Sequence, residues 1–225
     1  MDDGPERLET SLAMAAIAAE DGIRTVIATP HADGFRVTPD KVRERVYTLN
    51  SALHQHGVTL NILPGYEIPF HLISELAPTH TLAQSNYVLI EFPHMYVPGD
   101  ALVTVVQLIT LGFIPIIAHP ERNKEVLHNP DLMDSLVEAG AHLQLTASSI
   151  TGDLGPDVQS SAHYLLRKNL VHFIATDSHS PSFRAPVLQK AHSTAVRLLG
   201  RSKADLLTTG NPQKILAARN RPVLS

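Results

Sequence analysis

The sequence predicts an α/β fold in which a parallel sheet is covered by helices. Three observations carry that prediction. Short apolar, β-branched runs alternate with helix-period patterns from one end of the 225 residues to the other, the signature of strands that return through crossover helices. Glycine or proline stands at most of the changes of period. No Pro/Gly/Ser-rich linker or low-complexity stretch divides the chain. Residues 1–225 are therefore read as one domain, long enough to bury a core without disulfide staples.

The elements follow in order. Pro5 suits the first position of a helix whose Leu8, Leu12, Ala15, Ala16 and Ala19 share a face, and Gly22 ends it. Residues 23–29 form a strand that stops at Pro30-His31. Thr38-Pro39 caps a helix carrying Val42, Val46, Leu49 and Leu53 on one face, closed by Gly57. Residues 58–63 are a second strand, followed by a loop over residues 64–67. Residues 87–91 are a third strand ending in Phe92-Pro93, and residues 100–111 a helix. Residues 113–118 are a fourth strand that runs into His119-Pro120-Glu121-Arg122-Asn123, with a helix over 131–139 stopped by Gly140. A fifth strand at 141–146 leads through a Ser/Thr/Gly loop to a helix over 157–168. The sixth, at 170–176, ends in Asp177-Ser178-His179, and terminal helices cover 185–199 and the segment after Asn211-Pro212.

Composition removes several function classes. The net charge is −4 without a basic run, so neither a nucleic-acid surface nor a polybasic membrane anchor is expected. The longest apolar stretch, residues 101–118, is broken by Gln107, Gly112 and Pro115 and reads as helix, stop and strand rather than a membrane span. With no signal-peptide pattern at its start, the chain is expected to be cytoplasmic. Thirteen histidines and no cysteine exclude thiolate chemistry and zinc-cysteine sites, and leave nitrogen ligation or acid–base work near neutral pH.

Polar residues gather at the strand ends: His31, Glu91, His119 and Asp177 with His179 close four strands, and Glu67 follows the second. In parallel α/β sheets the carboxyl ends of the strands share one mouth, so these groups converge although they are distant in sequence. Three imidazoles and three carboxylates are a nitrogen/oxygen ligand set for Mn, Fe or Zn. Taken singly, each has an ordinary reading: His31 as a turn cap, Glu67 as a surface carboxylate, Arg122 and Arg184 as salt-bridge partners. Glu67 and Glu91, however, stand in apolar surroundings, where a carboxylate is rare unless paired or metal-bound. Arg122 and Arg184 lie in loops at the same mouth, and their planar forks match a phosphate. His54, His56, His80, His128, His163 and His192 are read as surface residues, and His142 and His172 as lying within strands. His71 and His94 follow the Glu67 and Glu91 turns, within reach of the pocket rim.

The runs Asp2-Asp3-Gly4-Pro5, Ala28-Thr29-Pro30-His31, Gly65-Tyr66-Glu67-Ile68, Ile90-Glu91-Phe92-Pro93, Ala118-His119-Pro120-Glu121-Arg122, Gln144-Leu145-Thr146-Ala147-Ser148-Ser149 and Ala175-Thr176-Asp177-Ser178-His179 resemble those of one family. It comprises the bacterial tyrosine-protein phosphatases of the polymerase-and-histidinol-phosphatase (PHP) superfamily, the manganese-dependent capsular and exopolysaccharide enzymes of CpsB and YwqE type. The resemblance spans essentially the whole chain. It implies a distorted (β/α)7 PHP barrel with a cluster of three metals, Mn2+ or else Fe or Zn, at its carboxyl mouth. His31, Glu67, Glu91, His119, Asp177 and His179 match the family's metal ligands, and Arg122 and Arg184 the arginines that hold the substrate phosphate.

The implied reaction is hydrolysis of a phosphate monoester by metal-activated hydroxide. The implied partner is a phosphotyrosine protein, a tyrosine autokinase of polysaccharide export. In the family a strand bearing a His-x-His pair precedes the Asp-Asp-Gly-Pro run, whereas this chain starts at that run. The resemblance therefore implies a barrel without its first strand and an incomplete metal cluster, through either a start placed at an internal Met or a shortened relative. Two alternatives stand beside the lead: a small-molecule phosphatase, such as one acting on histidinol phosphate, and a truncated pseudoenzyme that only binds a partner.

Overall fold

The apolar runs become seven short strands, all parallel, in a computed structural model that describes residues 3–219. They are β1 (Thr25–Ala28), β2 (Asn61–Pro64), β3 (Glu67–Pro69), β4 (Tyr87–Glu91), β5 (Ile114–Ala118), β6 (His142–Thr146) and β7 (Phe173–Ala175). β3 to β7 pair in sequence order as one five-stranded sheet, and β1 pairs with β2. The two sheets are stitched together just past β1. His31 bridges Glu67, the Ala32 amide donates to the Glu67 carbonyl (2.9 Å), and the Glu67 amide donates to the Pro30 carbonyl (3.1 Å).

Residues 64–67, expected as a loop, are instead the kink of one strand that stops at Pro64 and resumes at Glu67. Gly65 allows the kink. A Cβ there would lie 2.5 Å from Ile27 Cγ2 and 3.3 Å from the Ala28 carbonyl, so only glycine lets the bend press against β1. The consequence is functional, since Glu67 opens a strand and its backbone is fixed on both sides by hydrogen bonds.

Strand residues are buried on both faces, as a parallel sheet between helices requires, and period-two alternation sorts them into two layers. Val88, Ile90, Ile117, Leu143, Leu145 and Ile174 face the helices in the main core. Leu63, Tyr87, Leu89, Ile116, Ala118 and Phe173, with Ile27 against them, form a second cluster. Strands from both ends of the arc, β1 and β2 on one side and β7 on the other, thus meet in one interior layer, so the sheet is strongly curled. Among the described residues no ladder joins β7 to β1 or β2, and the strands do not close into a barrel.

Pro115 is tolerated inside central β5 because of register. The neighbouring Ile114 amide points to β4, donating to the Asn86 carbonyl (2.8 Å). The missing Pro115 N–H therefore lies on the β6 side, upstream of the first β5–β6 pair, Ile116 with His142.

The helices are α1 (Leu8–Glu20), α2 (Pro39–Gln55), α3 (Ile73–Leu76), α4 (Ala101–Thr110), α5 (Lys124–His128), α6 (Leu132–Glu138), α7 (Ala147–Thr151), α8 (Pro156–Arg167), α9 (Gln189–Leu199), α10 (Arg201–Asp205) and α11 (Asn211–Ala217). Helix α1 starts three residues after the expected Pro5, behind an extended Arg7. The chain before it lies over the mouth, where Asp3 meets two imidazoles. Pro39 does open α2, but Thr38 makes no side-chain cap bond. The ends of the arc are tied through helices: Asp21, after α1, accepts the Leu188 (2.6 Å) and Gln189 (3.1 Å) amides at the start of α9. Residues 101–118 split into α4 and β5 as read, and no helix of the described residues is long and apolar enough to cross a membrane.

Candidate active site

Each strand end contributes through the geometry of its last residue or its following turn. Glu91, the last residue of β4, keeps the alternation of Tyr87 and Leu89 and so aims into the interior at the mouth. His119, just past β5, adopts a left-handed backbone (φ 33°), as do Asp177 (φ 48°) and Arg184 (φ 50°). Such conformations are uncommon outside glycine and persist where surrounding structure imposes them, often at functional sites.

The imposing structure after β5 is visible. The His119 amide donates to the Gln144 carbonyl of β6 (2.8 Å). Glu121, with no exposed surface, accepts the Thr146 amide (2.9 Å) and the Ser149 hydroxyl (2.6 Å) on one oxygen, while its other oxygen has no partner among the described residues. Burial pushes the Glu121 carboxyl up, against those two hydrogen bonds. The Ser/Thr/Gly stretch after β6, expected as a loop, forms α7 around this anchor. Asn123 caps α5 through the Glu125 (3.0 Å) and Val126 (3.2 Å) amides, and its amide nitrogen holds the Pro93 and Tyr96 carbonyls of the loop after β4.

The six expected ligands and two arginines meet at one mouth. His31, Glu67 and Glu91 each offer a donor atom, all within 4.8 Å of one another. His31 Nδ1 is 3.3 Å from Glu67 and 3.5 Å from Glu91, and His119 Nε2 is 3.0 Å from Glu67 and 3.7 Å from Glu91. Arg122 and Arg184 both donate to the same oxygen of Asp177, at 2.6 and 2.8 Å. His179 Nδ1 lies 2.9 Å from the Asp177 carbonyl, and its Nε2 lies 3.2 Å from Asp3. Asp3 also reaches His31 Nε2 at 3.6 Å, linking the two halves of the mouth. Sequence reasoning gave Asp3 no role; its one signal was the Asp-Asp-Gly-Pro run, of which Asp2 lies outside the described residues.

The electrostatics suit a cation. Burial and the neighbouring Glu67 charge both push the Glu91 carboxyl up, the mark of carboxylates held closer than their charges favour. Burial pulls the His119 imidazole down, but its hydrogen bond to Glu67 and that carboxylate's charge outweigh it, leaving the imidazole raised. Clustered carboxylate oxygens and imidazole nitrogens without sulfur fit a divalent ion of the Mn, Fe or Zn type.

The other histidines divide. His94 lines a cavity beside the arginines, as its position after Glu91 suggested, whereas His71 is exposed. His80, expected at the surface, is buried: its Nδ1 meets the Thr79 hydroxyl (2.8 Å) and its ring sits edge-on to Tyr66. His142 and His172 stack on each other at 4.2 Å.

A family model described as capsular polysaccharide synthesis, CpsB/CapC, matches residues 1–217. The tyrosine-protein phosphatase YwqE of Bacillus subtilis (strain 168) is 37% identical over 229 residues, covering 99% of this chain and 89% of YwqE. The tyrosine-protein phosphatase CpsB of Streptococcus pneumoniae is 30% identical over 227 residues, covering 96% of this chain and 93% of CpsB. A solved structure is similar with a TM-score of 0.92 at 37% identity, covering 98% of this chain and 91% of that one. It comes from crystal structures of YwqE from Bacillus subtilis and CpsB from Streptococcus pneumoniae, described as metal-dependent tyrosine phosphatases.

Proposed function

The chain belongs to the CpsB/CapC family of capsular polysaccharide synthesis, and from that premise we infer that it is a metal-dependent protein-tyrosine phosphatase. The observation that carries the reading is the juxtaposition of His31, Glu67 and Glu91, with donor atoms within 4.8 Å, and two guanidiniums sharing Asp177. The names of the relatives support it over a small-molecule phosphatase or a binding module. In this reading His31, Glu67, Glu91, His119, Asp177 and His179 hold the metal cluster, with Mn2+ as its ion. The curled sheet is the frame of a distorted (β/α)7 barrel, in one cytoplasmic domain.

Bound divalent cations would acidify a water to a nucleophile at neutral pH and offset charge on the phosphoryl group. The rest of the chemistry belongs to the chain. Arg122 and Arg184 neutralise the phosphoryl oxygens as charge develops, and Asp177, which takes one N–H from each, sets the spacing of the two forks. With no cysteine in the chain, no thiol is present to form a phosphoenzyme. The tyrosine leaves as a phenolate whose conjugate acid has a pKa near ~10, so departure needs little help from a general acid. The proposed substrate is a phosphotyrosine segment of a tyrosine autokinase of polysaccharide export.

The test is turnover of a phosphotyrosine peptide with metal added and removed. Hydrolysis that disappears with EDTA and returns with Mn2+ is expected. Hydrolysis indifferent to chelation would overturn the reading.

A further inference from the structure

Beyond the two guanidiniums the mouth opens into a cavity of about 280 Å3. Its apolar walls are Leu127 of α5, Leu154 after α7, Val158 of α8 and Phe183 in the loop after β7. Arg122 and Arg184 line it too, and both also reach Asp177, so they stand between this cavity and the carboxylate–imidazole cluster. His94 and Lys124 complete the lining, and none of the described lining residues is a carboxylate.

We propose that this cavity is the subsite for the aromatic ring of an aryl phosphate, and that Phe183 sets the preference for aryl over alkyl esters. The proposal rests on the phosphatase reading above. A monoester whose phosphoryl oxygens are held by both guanidiniums carries its organic group away from the carboxylate cluster, towards these apolar walls. The volume lies just below the range of about 300–1,000 Å3 typical for sites that take drug-sized ligands, a size suited to a single ring. The guanidiniums of Arg122 and Arg184 and the ammonium of Lys124 complement an anionic ester.

Phe183 is built for such a partner. The residue is 64% exposed, yet its backbone is pinned: the Ser180 hydroxyl donates to the Phe183 carbonyl (2.9 Å) and accepts the Phe183 amide (2.8 Å). The Arg184 guanidinium lies 5.7 Å from the centre of the Phe183 ring but is held separately by its hydrogen bond to Asp177 (2.8 Å), so the ring stands beside the phosphate-binding group without positioning it. The left-handed turn at Arg184 (φ 50°) lets these consecutive side chains line one cavity. A flat apolar surface held in place beforehand binds a second ring with little ordering loss.

Phenylphosphonic acid and methylphosphonic acid, neither of which the enzyme can hydrolyse, separate ring binding from turnover. Titrated calorimetrically into the full chain with Mn2+, the phenyl compound is expected to bind about tenfold more tightly. Phe183→Ala should bring the two within about twofold by weakening the phenyl compound alone. Val158→Phe, which fills the cavity and leaves Phe183 in place, should do the same. In turnover, Phe183→Ala should raise KM for phenyl phosphate and leave KM for methyl phosphate unchanged. If wild type hydrolyses phenyl phosphate but Phe183→Ala weakens both phosphonates equally, or neither, the subsite is overturned and the phosphatase reading stands. A wild type that binds the phosphonates with the expected difference but turns over no ester keeps the subsite and overturns the phosphatase reading. Binding of neither compound overturns both.

Discussion

The curled sheet gathers histidines at both of its ends, and the two ends treat them in opposite ways. At the carboxyl mouth, His119 and His31 stand within 3.0–3.7 Å of Glu67 and Glu91, and the carboxylates keep His119 raised despite its burial. At the opposite end, His142 opens β6 and His172 stands just before β7. Their rings stack on one another at 4.2 Å, with Tyr87 and Phe173 against His142. Burial first, then His172 and Lys214, lower the His142 imidazole to about 4, and burial lowers His172 as well. The same side chain is thus a partner for anions, and a candidate metal ligand, at one end and a neutral packing aromatic at the other. What differs is the company: carboxylates at the mouth against aromatic rings at strand starts, with Lys214 of α11 nearby.

The largest test of this contrast removes the cation from the mouth. Chelation should lower phenyl phosphate hydrolysis at least ~100-fold and lower the thermal midpoint, because a ligand that binds only the folded state stabilises it. The stacked pair at the base should be unaffected, and calorimetry with and without EDTA reads both effects. Next in size, Arg184→Lys or Arg122→Lys keeps the charge but loses the fork that reaches Asp177. We expect kcat/KM for an aryl phosphate to fall ~10–100-fold; a variant with unchanged kinetics would remove the arginines from the site.

A smaller effect concerns the anchor beneath the mouth. Glu121→Ala leaves the Thr146 amide and the Ser149 hydroxyl without their buried acceptor and should cost about 2–3 kcal/mol of stability in urea unfolding. Glu121→Gln retains an acceptor oxygen and should lose clearly less. Equal losses would show that the two hydrogen bonds are not what holds the turn.

The smallest effect is at the base. The folded His142 value of about 4 lies below that of an unconstrained imidazole, ~6.5. As pH falls through 6.5 the unfolded chain takes the proton first, so stability drops between about 6.5 and 4 and is fully present above that window. Because His142 is only partly buried, the loss is about 1–2 kcal/mol or less. His142→Phe should make the acid limb of the thermal midpoint shallower over that window. An identical pH profile would mean that the base histidines are not held neutral.

Legibility in the sequence followed the range of the interaction. The strands over 87–91, 113–118 and 141–146 could be read because each is an apolar run closed by a turn, and they pair in the expected parallel order. The start of α1 could not, because Asp3 contacts His31 and His179 far along the chain. Nor could the kink at Gly65, which depends on Ile27 of the neighbouring strand, or α7, which is organised around Glu121. His80 was misread as a surface group because its partner ring, Tyr66, is fourteen positions away in sequence.

By itself, the sequence determined that polar groups of metal-binding type stand at the ends of apolar strands. It also excluded thiol chemistry, since both facts are written in residue identity and local period. Only the tertiary structure decided that Arg122 and Arg184 meet on one oxygen of Asp177, that Asp3 joins two imidazoles, and which histidines keep company with carboxylates. Apart from Arg184 and Asp177, which are near in sequence, those outcomes depend on distances between residues tens to more than a hundred positions apart, which the curl of the sheet sets and no local pattern encodes.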